Sequence, residues 1–119
     1  MYSRTIEAEF LSWMEREEIL IITGSRQVGK TSFMKHIQGT NNFNNEFFNL
    51  EDFELLSLFN ESPKNLIKLL KEKHSFEDKI FVFIDEIQYL NNPSNFLKYI
   101  YDEYKDKIKL IVSGSSAFY

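Results

Sequence analysis

The sequence predicts an α/β fold built on a parallel sheet, and three observations carry that reading. Three β-rich runs, Ile19–Thr23, Ile80–Ile84 and Ile108–Val112, lack the regular polar alternation of a strand with one wet face. Strands covered on both faces look like this. Amphipathic helical segments lie between the runs, and strands alternating with helices favour parallel pairing. Each run also ends in turn or capping chemistry, at Gly24, Asp85-Glu86 and Ser113-Gly114. With 119 residues, the chain is one domain, or a piece of one.

Residues 4–17 are the first expected helix. Ile6, Phe10, Trp13 and Met14 recur at helical spacing, with Glu7, Glu9, Glu15, Arg16 and Glu17 on the other side, which assigns Trp13 to the core. The run Ile19–Thr23 is the first strand and breaks at Gly24; a helix follows from Lys30 to Gln38, stopped by Gly39. After an Asn-rich loop, Glu46–Leu50 is a short strand, and Asp52 caps a helix over Phe53–Phe59. Ser62-Pro63 opens the next helix with Pro63 at its first position. Leu66, Ile67, Leu69 and Leu70 supply that helix's buried face, and the lysines between them reach outward. Ile80–Ile84 is the second covered strand. Pro93 starts a helix running to Lys105, with Phe96, Leu97, Ile100, Tyr101 and Tyr104 on one side, and Ile108–Val112 is the last strand.

Composition excludes several function classes. Lys+Arg 14 against Asp+Glu 18 gives a net charge of −4, so a broad basic face for nucleic acid is not supported. The chain has no cysteine, which removes disulfides, thiolate metal sites and cysteine nucleophiles. The apolar runs are far too short to span a bilayer, and Glu7 and Glu9 stand where a signal peptide needs an apolar stretch. A soluble, cytoplasmic protein is the expectation. His36 and His74 lack any paired spacing and read as surface or capping residues rather than metal ligands.

Gly24-Ser25-Arg26-Gln27-Val28-Gly29-Lys30-Thr31 fits G-x-x-x-x-G-K-[ST] without a gap, between a strand and a helix. The chemistry explains the spacing. Gly24 lets the chain leave the strand tightly, and Gly29 lets backbone N–H groups approach phosphates with no Cβ in the way. Those amides and the positive end of the following helix make an anion nest. Lys30 reaches the β- and γ-phosphates, Thr31 offers its hydroxyl to Mg²⁺, and Ser32 completes the nucleotide-binding stretch. After the second strand, Asp85 is placed to help hold Mg²⁺ and Glu86 to take a proton from a water attacking the γ-phosphate. Alone, such a pair would also serve as a strand-end turn; the phosphate loop upstream favours the catalytic assignment. The last strand ends in Ser113-Gly114-Ser115-Ser116, and either Ser113 or Ser115 is placed to sense the γ-phosphate.

Together, Gly24–Thr31, Phe48-Asn49-Leu50-Glu51-Asp52, Phe83-Ile84-Asp85-Glu86-Ile87-Gln88 and Val112-Ser113-Gly114-Ser115-Ser116 resemble the AAA-type P-loop ATPase domain that begins many bacterial and archaeal ATP-binding proteins. In that family a restriction-nuclease-like domain commonly follows. Ser25 stands where a proline is common. The resemblance implies ATP and Mg²⁺ as ligands and a three-layer P-loop NTPase core with sheet order 2-3-4-1. It also implies a fifth strand beyond Tyr119, so the chain reads as an N-terminal fragment. Ile19–Thr23 would then be an exposed edge, open to a second copy, and a C-terminal domain or protein partner would complete the assembly. The three arginines, Arg4, Arg16 and Arg26, leave an arginine finger to one of them or to another chain. The leading function is Mg²⁺-dependent ATP binding and hydrolysis. The alternative is a nucleotide-gated interaction module with little turnover, and a small-molecule kinase is disfavoured by Asp85-Glu86.

Overall fold

Side chains that alternate in direction along the strands, and the helices they pack against, assign the elements to layers. The computed structural model describes residues 4–24, 29–40 and 44–115. In chain order they form helix α1 (Arg4–Met14), strand β1 (Leu20–Thr23), α2 (Lys30–Thr40), β2 (Asn45–Asn49), α3 (Phe53–Glu61), α4 (Lys64–Lys73), β3 (Ile80–Asp85), α5 (Pro93–Tyr104) and β4 (Ile108–Gly114). All strand pairs are parallel, and the order β1-β4-β3-β2 is the expected 2-3-4-1 seen from the other edge.

Two apolar clusters cover the two faces of this sheet. On one, Ile80, Val82 and Ile84 of β3 and Ile108, Leu110 and Val112 of β4 pack with Phe59 of α3, Leu66, Ile67 and Leu70 of α4, and Phe96, Leu97 and Ile100 of α5. On the other, Phe83 and Ile111 meet Met14 of α1 and Met34 and Ile37 of α2. The period of two therefore sends successive residues of β3 and β4 into opposite layers. Aromatic pairs tie β2 into both: Phe47 stacks on Phe83 at 6.2 Å, and Phe48 meets Phe59 edge-on at 5.4 Å.

Local chemistry sets the helix starts. The Asp52 carboxylate accepts from the N–H groups of Glu54 at 3.0 Å and Leu55 at 3.2 Å, and Asn92 accepts from Asn95 at 3.1 Å ahead of Pro93. Ser62 Oγ accepts from Lys64 N–H at 3.1 Å, while Pro63 already has helical dihedrals. Helix α2 runs through Gly39 to Thr40, two residues beyond the Gln38 end that the glycine predicts. His74 closes α4 and its Nε2 lies 3.3 Å from Glu46 of β2, so it caps and packs, as its isolation in the sequence implies.

Two expectations are corrected. β1 is not covered on both faces, since Ile21 is 40% exposed; its edge place in the sheet, with β4 its one partner among the described residues, is the one the resemblance implies. Trp13 is not core either; it is 42% exposed, with the Arg16 guanidinium 4.2 Å above its ring. Both belong to a groove along the β1 edge that Lys109 also lines. Lys109 itself is buried, and its ammonium donates to the backbone carbonyl of Glu18.

Two predictions follow from this packing. Leu66→Ala, in the fully buried face of α4, should lower unfolding free energy in urea by about 2–5 kcal/mol. Phe53→Ala, at a residue 77% exposed, should stay within about 0.5 kcal/mol of the parent. The second concerns pH. Burial pushes the Lys109 pKa below 10.5, with Lys79 and Arg16 adding to the depression and Glu18 opposing it. Between the folded value and 10.5 the unfolded chain binds more protons, so stability rises with pH across that window. Lys109→Met should remove this rise, so that the difference in stability between parent and variant, read from urea titrations, changes with pH through the alkaline range.

Candidate functional site

The site forms where β1, β3 and β4 end and α2 begins. Because residues alternate along β3, Asp85 falls on the same face as Phe83, the side covered by α2. Along β4, Ser113 shares that face with Ile111. The register pairs Ile84 with Val112, which sets Asp85 and Ser113 side by side at the strand ends.

The Asp85 carboxylate is 1% exposed, and each of its oxygens meets a hydroxyl. Thr31 Oγ1, in the first turn of α2, donates to Oδ2, and Ser113 Oγ donates to Oδ1. Ser113 Oγ in turn accepts from the Glu86 backbone N–H at 3.3 Å. A buried carboxylate is tolerated only when partnered this way. The ladder is extended to the acidic pair by Leu50 N–H, which donates to the Asp85 carbonyl at 3.1 Å.

Glu86 is 4% exposed and left-handed, with φ 62° and ψ 48°. For a residue with a Cβ this conformation costs on the order of 1–3 kcal/mol, and such strain gathers at functional positions. The carboxylate accepts from Gln88 Nε2 at 2.6 Å. Gln88 lies in a 3-10 turn, Ile87–Tyr89, and its Oε1 accepts from the Ser115 backbone N–H at 3.2 Å.

On the loop side, Lys30 is buried at the start of α2, and its ammonium donates to the Gly24 carbonyl at 2.6 Å. Both glycines have positive φ, 144° at Gly24 and 73° at Gly29, which L side chains rarely adopt. A Cβ at Gly29 would meet no atom within 4 Å, so backbone conformation, not crowding by the protein, calls for glycine there. Ser32 is exposed on α2. Ser25, Arg26, Gln27 and Val28 lie outside the described residues.

Thus Lys30 and Thr31 share the first turn of α2, and Thr31, Asp85, Glu86 and Ser113 join in one hydrogen-bonded cluster. Of the two serines, Ser113 reaches Asp85 through its hydroxyl, whereas Ser115 is engaged through its backbone. Gln88 stands in the Phe83–Gln88 stretch that carries the family resemblance, but sequence reasoning assigned its side chain no role. No group of three His, Cys, Asp or Glu side chains suited to a metal occurs among the described residues. An ion held here would draw on one carboxylate, one hydroxyl and the oxygens of its ligand. That is the hard, oxygen-only donor set Mg²⁺ takes when it binds with phosphates.

Ser113→Ala tests the cluster's structural weight. It strips a donor from Asp85 Oδ1 and an acceptor from Glu86 N–H, both buried, and should lower stability by about 1–3 kcal/mol. Ser115→Ala, whose recorded contact is the backbone amide, should change thermal unfolding little.

No helix among the described residues is long and apolar enough to cross a membrane. No curated protein and no solved structure matches the chain. A family model described as an AAA domain matches residues 16–119, a span that includes the phosphate loop, the acidic pair and the end of β4. The chain therefore belongs to the AAA domain family of nucleotide-binding, ATPase-like domains.

Proposed function

We propose that this domain binds ATP with Mg²⁺ and hydrolyses the γ-phosphate. The observation that carries the reading is the cluster in which Thr31 and Ser113 hold the buried Asp85 carboxylate next to Glu86, at the strand ends beside the glycine loop. Gly24, Gly29, Lys30, Thr31 and Ser32, with Ser25, Arg26, Gln27 and Val28 between them, form the nucleotide-binding stretch. The open space at Gly29 is the room that phosphate oxygens take, and the amides opening α2 donate to them. Lys30 leaves the Gly24 carbonyl for the β- and γ-phosphates, exchanging a neutral acceptor for an anionic one.

Thr31 and Asp85 would hold the Mg²⁺, which when bound neutralises charge on the β- and γ-phosphate oxygens. Glu86 takes a proton from the attacking water as the new bond to the γ-phosphorus forms and the bond to the β–γ bridging oxygen breaks; ADP and inorganic phosphate leave. Ser113, bonded to both Asp85 and the Glu86 backbone, is the sensor. Ser115 contributes its backbone position.

Calorimetry with Mg²⁺ and ATP tests the reading. Lys30→Ala should abolish the heat of binding, and Glu86→Gln should keep affinity while single-turnover hydrolysis falls by at least about 10²-fold. Loss of binding and turnover together in Glu86→Gln would count against its assigned role. Binding without turnover in the parent protein would move the reading to a nucleotide-gated interaction module.

A further inference from the structure

Gln88 has no part in the reaction as described, yet it makes two of the site's bonds. Its Nε2 donates to Glu86 Oε1 at 2.6 Å, and its Oε1 accepts from the Ser115 N–H at 3.2 Å. One primary amide thus joins the carboxylate that follows β3 to the backbone that follows β4. Only a group with a donor and an acceptor at the same end can do this. A glutamate offers acceptors alone, and an alanine offers neither.

The placement is local and constrained. Glu86 is left-handed, so the chain turns away from β3 and the 3-10 turn brings Gln88 back over the residue two before it. Ser113, near the end of β4 and two residues before Ser115, holds the Glu86 backbone N–H at 3.3 Å. Glu86 is therefore gripped twice from β4, at its amide through Ser113 and at its carboxylate through Gln88. A side chain with three rotatable bonds needs such a grip to act as a general base, because the carboxylate must sit within hydrogen-bond reach of the water.

We infer that Gln88 is a positioning residue for Glu86, its amide orienting the carboxylate and coupling that orientation to the end of β4. The inference rests on the reading of Glu86 as the proton acceptor. It adds that the sensing strand and the base move as one: a shift of Ser113 and Ser115 toward or away from a γ-phosphate carries the Glu86 carboxylate with it.

Two measurements on the nucleotide-free chain need no turnover. The Gln88 side-chain amide proton, hydrogen-bonded to a carboxylate, should shift upfield in ¹⁵N-correlated NMR on Glu86→Gln. Exchange of the Ser115 amide should accelerate about tenfold in Gln88→Ala and stay slow in Gln88→Glu, which keeps the acceptor. Unchanged shift and unchanged exchange would overturn the tie. With Mg²⁺ and ATP, both Gln88→Glu and Gln88→Ala should lower the single-turnover rate by about 10²-fold with ATP affinity held within about twofold. A parent-like rate in Gln88→Glu, or a loss of affinity matching the loss of rate, overturns the positioning role. Glu86→Gln separates the two levels: parent-like hydrolysis there overturns the reading of Glu86 itself, while the NMR results still decide the tie.

Discussion

Asp85 is a carboxylate almost sealed from water, and the rest of the site is arranged around keeping it partnered. An ionised carboxylate in that position is costly unless its oxygens meet donors. The donors come from two separate elements, Thr31 at the start of α2 and Ser113 near the end of β4. Meeting them requires β4 to lie directly beside β3 and α2 to begin level with the strand ends. The parallel order β1-β4-β3 satisfies both, since it brings the ends of β1, β3 and β4 to the same edge and lets the loop after β1 deliver α2 there. Strand order, helix start and strand register must therefore all hold for this one carboxylate to be partnered.

How much of this was legible before the structure depended on what each signal encodes. β3 and β4 are covered on both faces, so their apolar composition is a direct record of burial, and their ends are punctuated by acids and serines. β1 has the same composition but only β4 as a partner among the described residues. A run of isoleucines states that a strand is apolar; its edge place came from the family resemblance, and that one of its faces is open at Ile21 was not legible in the run. Trp13 failed for the same reason, since helical spacing finds an apolar face but not its cover. β2 was a weak signal because Asn45–Asn49 mixes Asn, Glu and Phe. Its Glu46 is accommodated by Lys73 at 3.6 Å and His74 at 3.3 Å from the end of α4, a tertiary arrangement with no local trace.

The same division runs through the site. Gly24, Gly29, Lys30, Thr31, Asp85 and Glu86 stood out because their spacing matches the pattern that phosphate and metal chemistry would require. The choice between Ser113 and Ser115 required register: only a residue on the face shared by Asp85, one position past the Ile84–Val112 pair, can offer its hydroxyl to the carboxylate. The bond between Gln88 and Glu86 was not legible, because residues two apart meet in neither a helix nor a strand. Their contact exists only because Glu86 is left-handed and a 3-10 turn follows.

That left-handed residue resolves a conflict built into the sheet. Two consecutive acids at a strand end point to opposite layers if the strand continues, so Asp85 on the α2 side would send Glu86 toward the α4 and α5 side. That side is occupied by apolar side chains, Ile84, Ile87 and Val112 among them, where a carboxylate would lack partners. Turning the backbone at Glu86 breaks the alternation at the position where it would be harmful. Part of the strain is offset by the bonds the turn makes possible, from the Glu86 amide to Ser113 and from its carboxylate to Gln88. Glycine would relieve the strain and remove the carboxylate. A strained glutamate at this place, rather than an easy glycine, is what the proposed role of its carboxylate would require.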